Sequence, residues 1–270
     1  MGRRLRCGCW FGPGVIQRLG EVWRGLLRAT GAQPSSRRQS RIEGTNVTVV
    51  SERHLIEGNP VLVVIDIQGG GSAESPAEYA IPLMPGYGEA MDRAPALIAK
   101  ARECGIPIVF FQEAHRRNLV DFGRELDGAE SVHLLEGDAG TDIAAELGVR
   151  PDDYVIRKRR YSCFFGTEFE ILLKGLHADT LILIGGHTDV CVHYTFVDAH
   201  QHDYFCRVVE DVVAGSSVDA HEGALRAMEY LQTGARRSSA EVMSAFESHA
   251  SKPTSDGSRS PQAREIATER

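Results

Sequence analysis

No apolar run in this 270-residue chain approaches the roughly 18–20 residues needed to cross a bilayer, so no membrane partner is expected. Positive charge is in deficit, with 30 Lys and Arg against 37 Asp and Glu. The resulting net charge of −7 argues against general nucleic-acid binding. Cysteines are few and scattered, at 7, 9, 104, 163, 191 and 206, and only Cys7-Gly-Cys9 is closely paired. A lone Cys-x-Cys is too little for a metal site, and no clear secretory signal precedes it. Reduced thiols and a cytoplasmic location are therefore the expectation. There is no internal repeat. Gln68-Gly-Gly-Gly71 is not G-x-G-x-x-G and no helix clearly opens there, which speaks against a dinucleotide binder. What is present, 42% hydrophobic and 25% charged residues, suffices for one α/β domain with a sizeable core.

Charge is unevenly placed. Residues 1–45 hold nine arginines against Glu21 and Glu43, contributing +7 and leaving −14 for the rest. Val15 to Leu27 could form a short amphipathic helix of the transit-peptide kind. A disordered basic extension or a start placed too far upstream fits as well, and the segment is expected to lie outside the fold. Residues 46–248 read as the folded domain, and 249–270 as a polar, disordered tail.

Within the domain, Val61 to Gln68 is a strand of near-continuous apolar residues that runs directly into Asp66. A carboxylate at the end of a buried strand is costly unless it is paired or functional, so Asp66 is a candidate site residue. The Gly/Pro/Ser-rich stretch up to Pro85 reads as a long loop over the site. Ala90 to Glu103 has helical spacing, and Ile106 to Phe111 is a second strand. Gln112-Glu-Ala-His115-Arg-Arg117 leaves its carboxyl end, where polar side chains could meet a substrate. Glu113 and His115 alone are a weak metal signal, because no further His follows at ligand spacing. Residues 118–140 form a loop-rich excursion expected to bear on substrate choice. A helix is expected through Ile143 to Leu147, and a short third strand over Asp153 to Ile156. The four cations Arg157 to Arg160 then end a strand and precede an aromatic, Gly-containing loop, so one of them is expected to point into the site.

The chain is organised around Leu181 to Ala199. Four apolar residues make a buried strand, Gly185 and Gly186 break it, and Thr188 and Asp189 are helix-start residues. Val192, Thr195, Phe196 and Ala199 then recur at helical spacing. Cys191 is thus placed in the first turn of a helix at the carboxyl end of a strand, where ligands bind open α/β sheets. Helix N–H groups and the macrodipole favour a thiolate there. Further strands and helices follow at Phe205 to Val209, 219–232 and 239–248.

Asp66, Lys158 and Cys191 therefore leave the same edge of one parallel sheet. A cationic Lys158 would lower the thiol pKa, Asp66 would accept the thiol proton and return it to a leaving amine, and the backbone N–H groups of His187 and Cys191 would face an oxyanion.

Three ordered motifs carry a resemblance. They are Val63-Val-Ile-Asp66-Ile-Gln68, Lys158 with the aromatic Gly-Thr loop to Thr167, and Gly185-x-x-Thr188-x-x-Cys191-Val192; Asp198-Ala199 also fits. Over roughly residues 58–235 the chain resembles the isochorismatase-like cysteine hydrolases. The resemblance implies a single-domain, Rossmann-like three-layer sandwich with a mainly parallel six-stranded sheet. It also implies a homo-oligomer, an Asp66–Lys158–Cys191 triad, and a cis peptide at Gly186–His187. Having Cys191 disfavours isochorismate as substrate. Lacking the remainder of the Asp-x-His metal set, the chain is expected to bind no metal and no other cofactor. The activity implied is hydrolysis of a small linear amide or ureide, of biuret or N-carbamoyl type, through an acyl-enzyme. Gln232, an amide on the last helix before Gly234, favours biuret, whereas Arg116, Arg117 or Arg159 would suit a ureido acid. Gln68, His115, Arg116, Tyr161, Phe164 and Gln232 complete the expected substrate contacts. The competing readings are a ureidoacrylate- or nicotinamide-type amidase and a non-catalytic scaffold with a basic arm.

Overall fold

The computed structural model describes residues 54–69 and 81–251. The basic extension, the central part of the Gly-rich loop and the tail from residue 252 lie outside the described residues, while 249 and 250, expected in the tail, continue the last helix to Ala250. Six strands form one all-parallel sheet: β1 (Pro60–Ile65), β2 (Ile108–Glu113), β3 (Tyr154–Lys158), β4 (Thr180–Gly186), β5 (Phe205–Ala214) and β6 (Arg236–Arg237). Their spatial order is β3-β2-β1-β4-β5-β6. The chain winds outward from β1 to β3, then restarts beside β1 with β4 and winds the other way. This topological switch point lies between β1 and β4, the two strands that lead to Asp66 and Cys191.

Alternation along β1 builds the layers. Leu62 and Val64 join one core cluster, while Val61, Val63 and Ile65 join the other. On the first face pack α1 (Tyr87–Met91), α2 (Ala94–Glu103) and α6 (Ser239–Ala250), through Met91, Leu97, Ile98, Val242 and Phe246. On the second pack α3 (Phe169–Gly175), α4 (His193–Gln201) and α5 (Val218–Leu231), through Phe169, Phe196, Leu225 and Met228. With both faces covered, the strands are apolar throughout rather than alternating with polar residues.

Several expected elements are corrected. The single helix over 90–103 is two helices, because Asp92 and Arg93 lie between Met91 and Ala94, and Pro95 starts the second. The helix through Ile143 to Leu147 shrinks to a 3₁₀ turn, Ala145–Leu147, closed by Gly148 in the left-handed region at φ 56°. Strand β5 continues past Val209 to Ala214 because its two acids are satisfied in place. Glu210 accepts from Arg236 Nε at 2.9 Å, and Asp211 accepts from Ser239 N and Oγ at 2.7 and 2.6 Å.

Candidate active site

Strand register assembles the site before any side chain is considered. Ile65 pairs with Gly185 and Phe111, so β1, β2 and β4 end level, and Glu113 on β2 pairs with Lys158 on β3. Gly185 is obligatory here, with φ 117° and Ile65 O only 1.9 Å from where a Cβ would sit. Asp66, just past β1, holds the left-handed conformation at φ 52°, which is uncommon for a side-chain-bearing residue and frequent at functional sites. The Gly186–His187 peptide is cis, at the position expected for it. Thr188–Val192 form one π-helical turn that leads into α4, so Cys191 does lie in the first turn of a helix segment. That turn is tied down by Asp189, which accepts from Ser216 N at 2.9 Å and Ser216 Oγ at 2.5 Å, and by Thr188 Oγ1, 2.9 Å from His221 Nδ1.

Lys158 is completely buried and is the hub. Its Nζ lies 2.7 Å from Asp66 Oδ2, bonds Glu113 Oε2, and stands 3.4 Å from Cys191 Sγ. Cys191 Sγ is in turn 3.6 Å from Glu113 Oε2. The aromatic loop after Lys158 is anchored to α4 by Thr195 Oγ1, which accepts from Cys163 N at 3.0 Å, and by Ser162 Oγ, which donates to Asp198 at 2.5 Å.

Electrostatics separates the two carboxylates. Burial pushes Asp66 up, Lys158 pulls it down and Glu113 pushes it up again, leaving it at about 7. Burial also disfavours ionised Glu113, but the Lys158 charge and hydrogen bonds from His115, His133 and Lys158 outweigh that and hold it well below the usual carboxylate range. Burial works against charged Lys158 as well, yet Asp66, Cys191 and Glu113 hold its value well above that of a free lysine. The expectation of a lowered thiol pKa is corrected. Burial raises Cys191, and the charges of Asp66 and Glu113 add to that against the pull of Lys158, so the resting group is a thiol.

Behind Glu113 lies a cluster that the sequence did not announce. His115 Nε2 is 3.1 Å from Glu113 Oε1 and 3.2 Å from Glu125 Oε2, and His133 Nε2 is 3.6 Å from Glu113 Oε1. All four residues are buried, their donor atoms lie within 4.8 Å of one another, and both Glu125 oxygens lack a hydrogen-bond partner. The donor set fits a divalent cation. The missing histidine is His133, contributed by the excursion 18 positions beyond His115.

The expected substrate contacts fare unevenly. His115 is not open to a substrate: it is fully buried behind Glu113 and stacked on Phe122 at 3.9 Å. The Gln68 amide is spent on backbone, donating to Glu113 O at 2.8 Å and Thr141 O at 2.5 Å and accepting from Glu113 N at 3.0 Å. Phe164 packs on Phe169, His202 and Tyr204, toward the amino edge of β5. Gln232 lies at that same amino edge, where it accepts from Cys206 N at 3.0 Å and donates to Tyr204 O at 2.9 Å. Gln68, His115, Phe164 and Gln232 are therefore corrected from substrate contacts to packing and clamping positions. Tyr161 bonds Glu130 at 3.2 Å and meets Tyr194 edge-on, while Arg116 stays largely exposed, 4.0 Å from Asp121. The sequence does not place Glu113 beside Lys158, nor Glu125 and His133 behind it. The sequence offers Glu113 as a polar loop residue and, with His115, as a weak metal signal; its place two residues past Phe111 on the shared edge was the signal for a part in the site.

The sequence profile described as Isochorismatase domain matches residues 60–242. Maleamate amidohydrolase of Pseudomonas putida is 30% identical over 171 residues, covering 62% of this chain and 77% of that protein. Ureidoacrylate amidohydrolase RutB of Pseudomonas savastanoi is 28% identical over 186 residues, covering 62% and 76%. Among solved structures, N-carbamoylsarcosine amidase from Thermoplasma acidophilum superposes with a TM-score of 0.57 at 28% identity, over 67% of this chain and 97% of that one.

Proposed function

The chain belongs to the isochorismatase family, and we propose that within it the protein is a cysteine-dependent amidohydrolase that opens a small linear amide or ureide through an acyl-enzyme. It is a hydrolase acting on non-peptide C–N bonds, as its amidohydrolase relatives are. One observation carries the mechanism: a buried Lys158 flanked by two carboxylates, with the Cys191 thiol 3.4 Å from its Nζ.

The carboxylates divide the labour. Glu113 stays ionised and balances Lys158, whereas Asp66, at about 7, exchanges a proton near neutrality. Cys191 is a thiol at rest, so Asp66 takes its proton as sulfur attacks the carbonyl. Lys158 holds the charges as they move, and the N–H groups of His187 and Cys191 receive the oxyanion. Asp66 then protonates the departing ammonia or amine and activates the water that releases the acyl group. Glu113, His115, Glu125 and His133 are the residues that would hold a divalent cation, which would supply Lewis-acid polarisation to a neighbouring oxygen.

Gln232 was the residue that favoured biuret, and its position at the far edge removes that support. Relatives named for ureidoacrylate and maleamate, both linear amides bearing a carboxylate, support a substrate of that kind, with Arg116, exposed on the loop beyond Glu113, as a candidate partner for the carboxylate. Cys104, Cys163, Cys191 and Cys206 are all free, which supports a reducing, cytoplasmic setting. No helix among the described residues is long and apolar enough to cross a membrane. Assembly as a homo-oligomer belongs to the same proposal and is tested by light scattering on the purified chain.

The experiment is ammonia release from ureidoacrylate, maleamate, biuret, N-carbamoyl amino acids and nicotinamide, with Cys191→Ala as control. Fast release from one linear amide, lost in the variant, supports the reading. Release that survives the substitution refutes it.

A further inference from the structure

Tyr87 opens α1 and packs its ring against the first core cluster. Its hydroxyl nevertheless reaches the carboxyl edge of the sheet. A Cβ added at Gly186 would lie 2.2 Å from Tyr87 Oη, and the Tyr87 ring meets the His187 imidazole edge-on at 5.7 Å. The hydroxyl thus borders the turn that presents Cys191, in space that exists because residue 186 has no side chain. Among the described residues it has no hydrogen-bond partner, unlike Tyr161, which is bonded to Glu130. Burial, then the charges of Asp66 and Cys191, push its ionisation far above neutrality, so the group is a neutral O–H donor.

A donor beside a nucleophile, held by a packed ring and left without a protein acceptor, matches the way binding sites select ligands. Tyr87 is only partly buried, so water serves the free hydroxyl; a substrate with an acceptor oxygen takes that water's place, and one without an acceptor displaces it with no hydrogen bond in return. We propose that Tyr87 is a substrate-contacting residue that donates its hydroxyl hydrogen to an acceptor oxygen on the acyl part of the substrate, against the Gly186–His187 turn. The proposal rests on the hydrolase reading for its substrate class. It adds a residue that neither the motifs nor the charged hub includes. It also explains Gly186 without appeal to backbone freedom, since a side chain there would displace the hydroxyl.

The test uses Tyr87→Phe, which keeps the ring and removes only the donor. Protection of Cys191 from iodoacetamide by ureidoacrylate, maleamate and biuret reads ligand binding without needing turnover. The expected result is a protection constant weakened about 10-fold or more for at least one of them, the size of a lost hydrogen bond to a polar ligand, with the unliganded alkylation rate unchanged. Equal protection in variant and wild type overturns the proposal. So does an altered alkylation rate without ligand, which would place the hydroxyl on Cys191 itself, and so does absence of protection in the wild type. Failure of the hydrolase reading shows separately, as ammonia release that persists in Cys191→Ala.

Discussion

The two edges of the one sheet handle buried polar groups in opposite ways. At the amino edge, backbone groups serve as the main partners of several polar side chains, buried and exposed. Thr180 Oγ1 accepts from Glu57 N and donates to Glu57 O, Asp179 accepts from Asn59 N, and the Gln232 amide spans Cys206 N and Tyr204 O. These contacts end strands and join elements. At the carboxyl edge the polar groups face one another instead: two carboxylates, an ammonium and a thiol gather at the ends of four strands. Buried ionisable groups concentrated at one edge are the pattern of a functional site, and the contrast between the edges is what the proposed mechanism rests on.

The contrast is broken most completely at its cysteines. Cys191 and Cys206 are both buried, but only Cys191 faces Lys158. Cys191→Ala is expected to lower turnover by roughly 10⁴-fold or more, whereas Cys206→Ala, at the other edge, is expected to hold turnover within about twofold; steady-state ammonia release measures both. Next in size is Lys158→Met. It leaves Asp66 and Glu113 buried side by side without their shared cation, and thermal or urea unfolding should show a loss of about 3–5 kcal/mol together with loss of activity.

The third prediction sharpens the split between the carboxylates. The proposed mechanism uses ionised Asp66, so it predicts that kcat/KM rises with pH through about 7. Glu113→Gln removes a like charge that pushes Asp66 up, so the limb should move to lower pH; an unmoved limb would show that Glu113 does not tune Asp66. For stability the sign is opposite. Asp66 is raised above 3.8, so its contribution is complete below that value and is lost as pH climbs through about 7. Glu113 is depressed below 4.5, so its contribution is present above that value and is lost as pH falls. Smallest is Gln232→Ala, expected to cost about 1–3 kcal/mol by leaving the Cys206 N–H unpaired, with KM unchanged. A raised KM would return Gln232 to the substrate.

Much of the carboxyl edge was legible because strands announce themselves locally. Apolar runs that stop at Asp66, at the cations around Lys158, and at the glycines before Cys191 put three residues on one edge. The resemblance supplied the count of six strands; Arg236–Arg237 is two polar residues long and has no pattern to find. The misreading of Gln232 has a geometric cause. In a parallel sheet the helix after a strand runs back, so the end of α5 must lie at the amino edge, and a residue there cannot reach chemistry at the other. Glu113 needed register as well as sequence, since its partnership with Lys158 follows from the β2–β3 pairing. His133, Glu125 and Tyr87 depend on the path of irregular segments, which no periodicity encodes. The thiol pKa was misjudged because a helix terminus and a lysine were counted while burial and a second carboxylate were not.

The most direct measurement is the mass of Cys191 during turnover. Wild-type protein is mixed with the best linear amide or ureide, acid-quenched within one turnover and digested. The account predicts that the peptide bearing Cys191 carries the acyl mass as a thioester, while the peptides bearing Cys163 and Cys206 stay unmodified. Efficient ammonia release with no adduct at Cys191, and with turnover retained in Cys191→Ala, would contradict it.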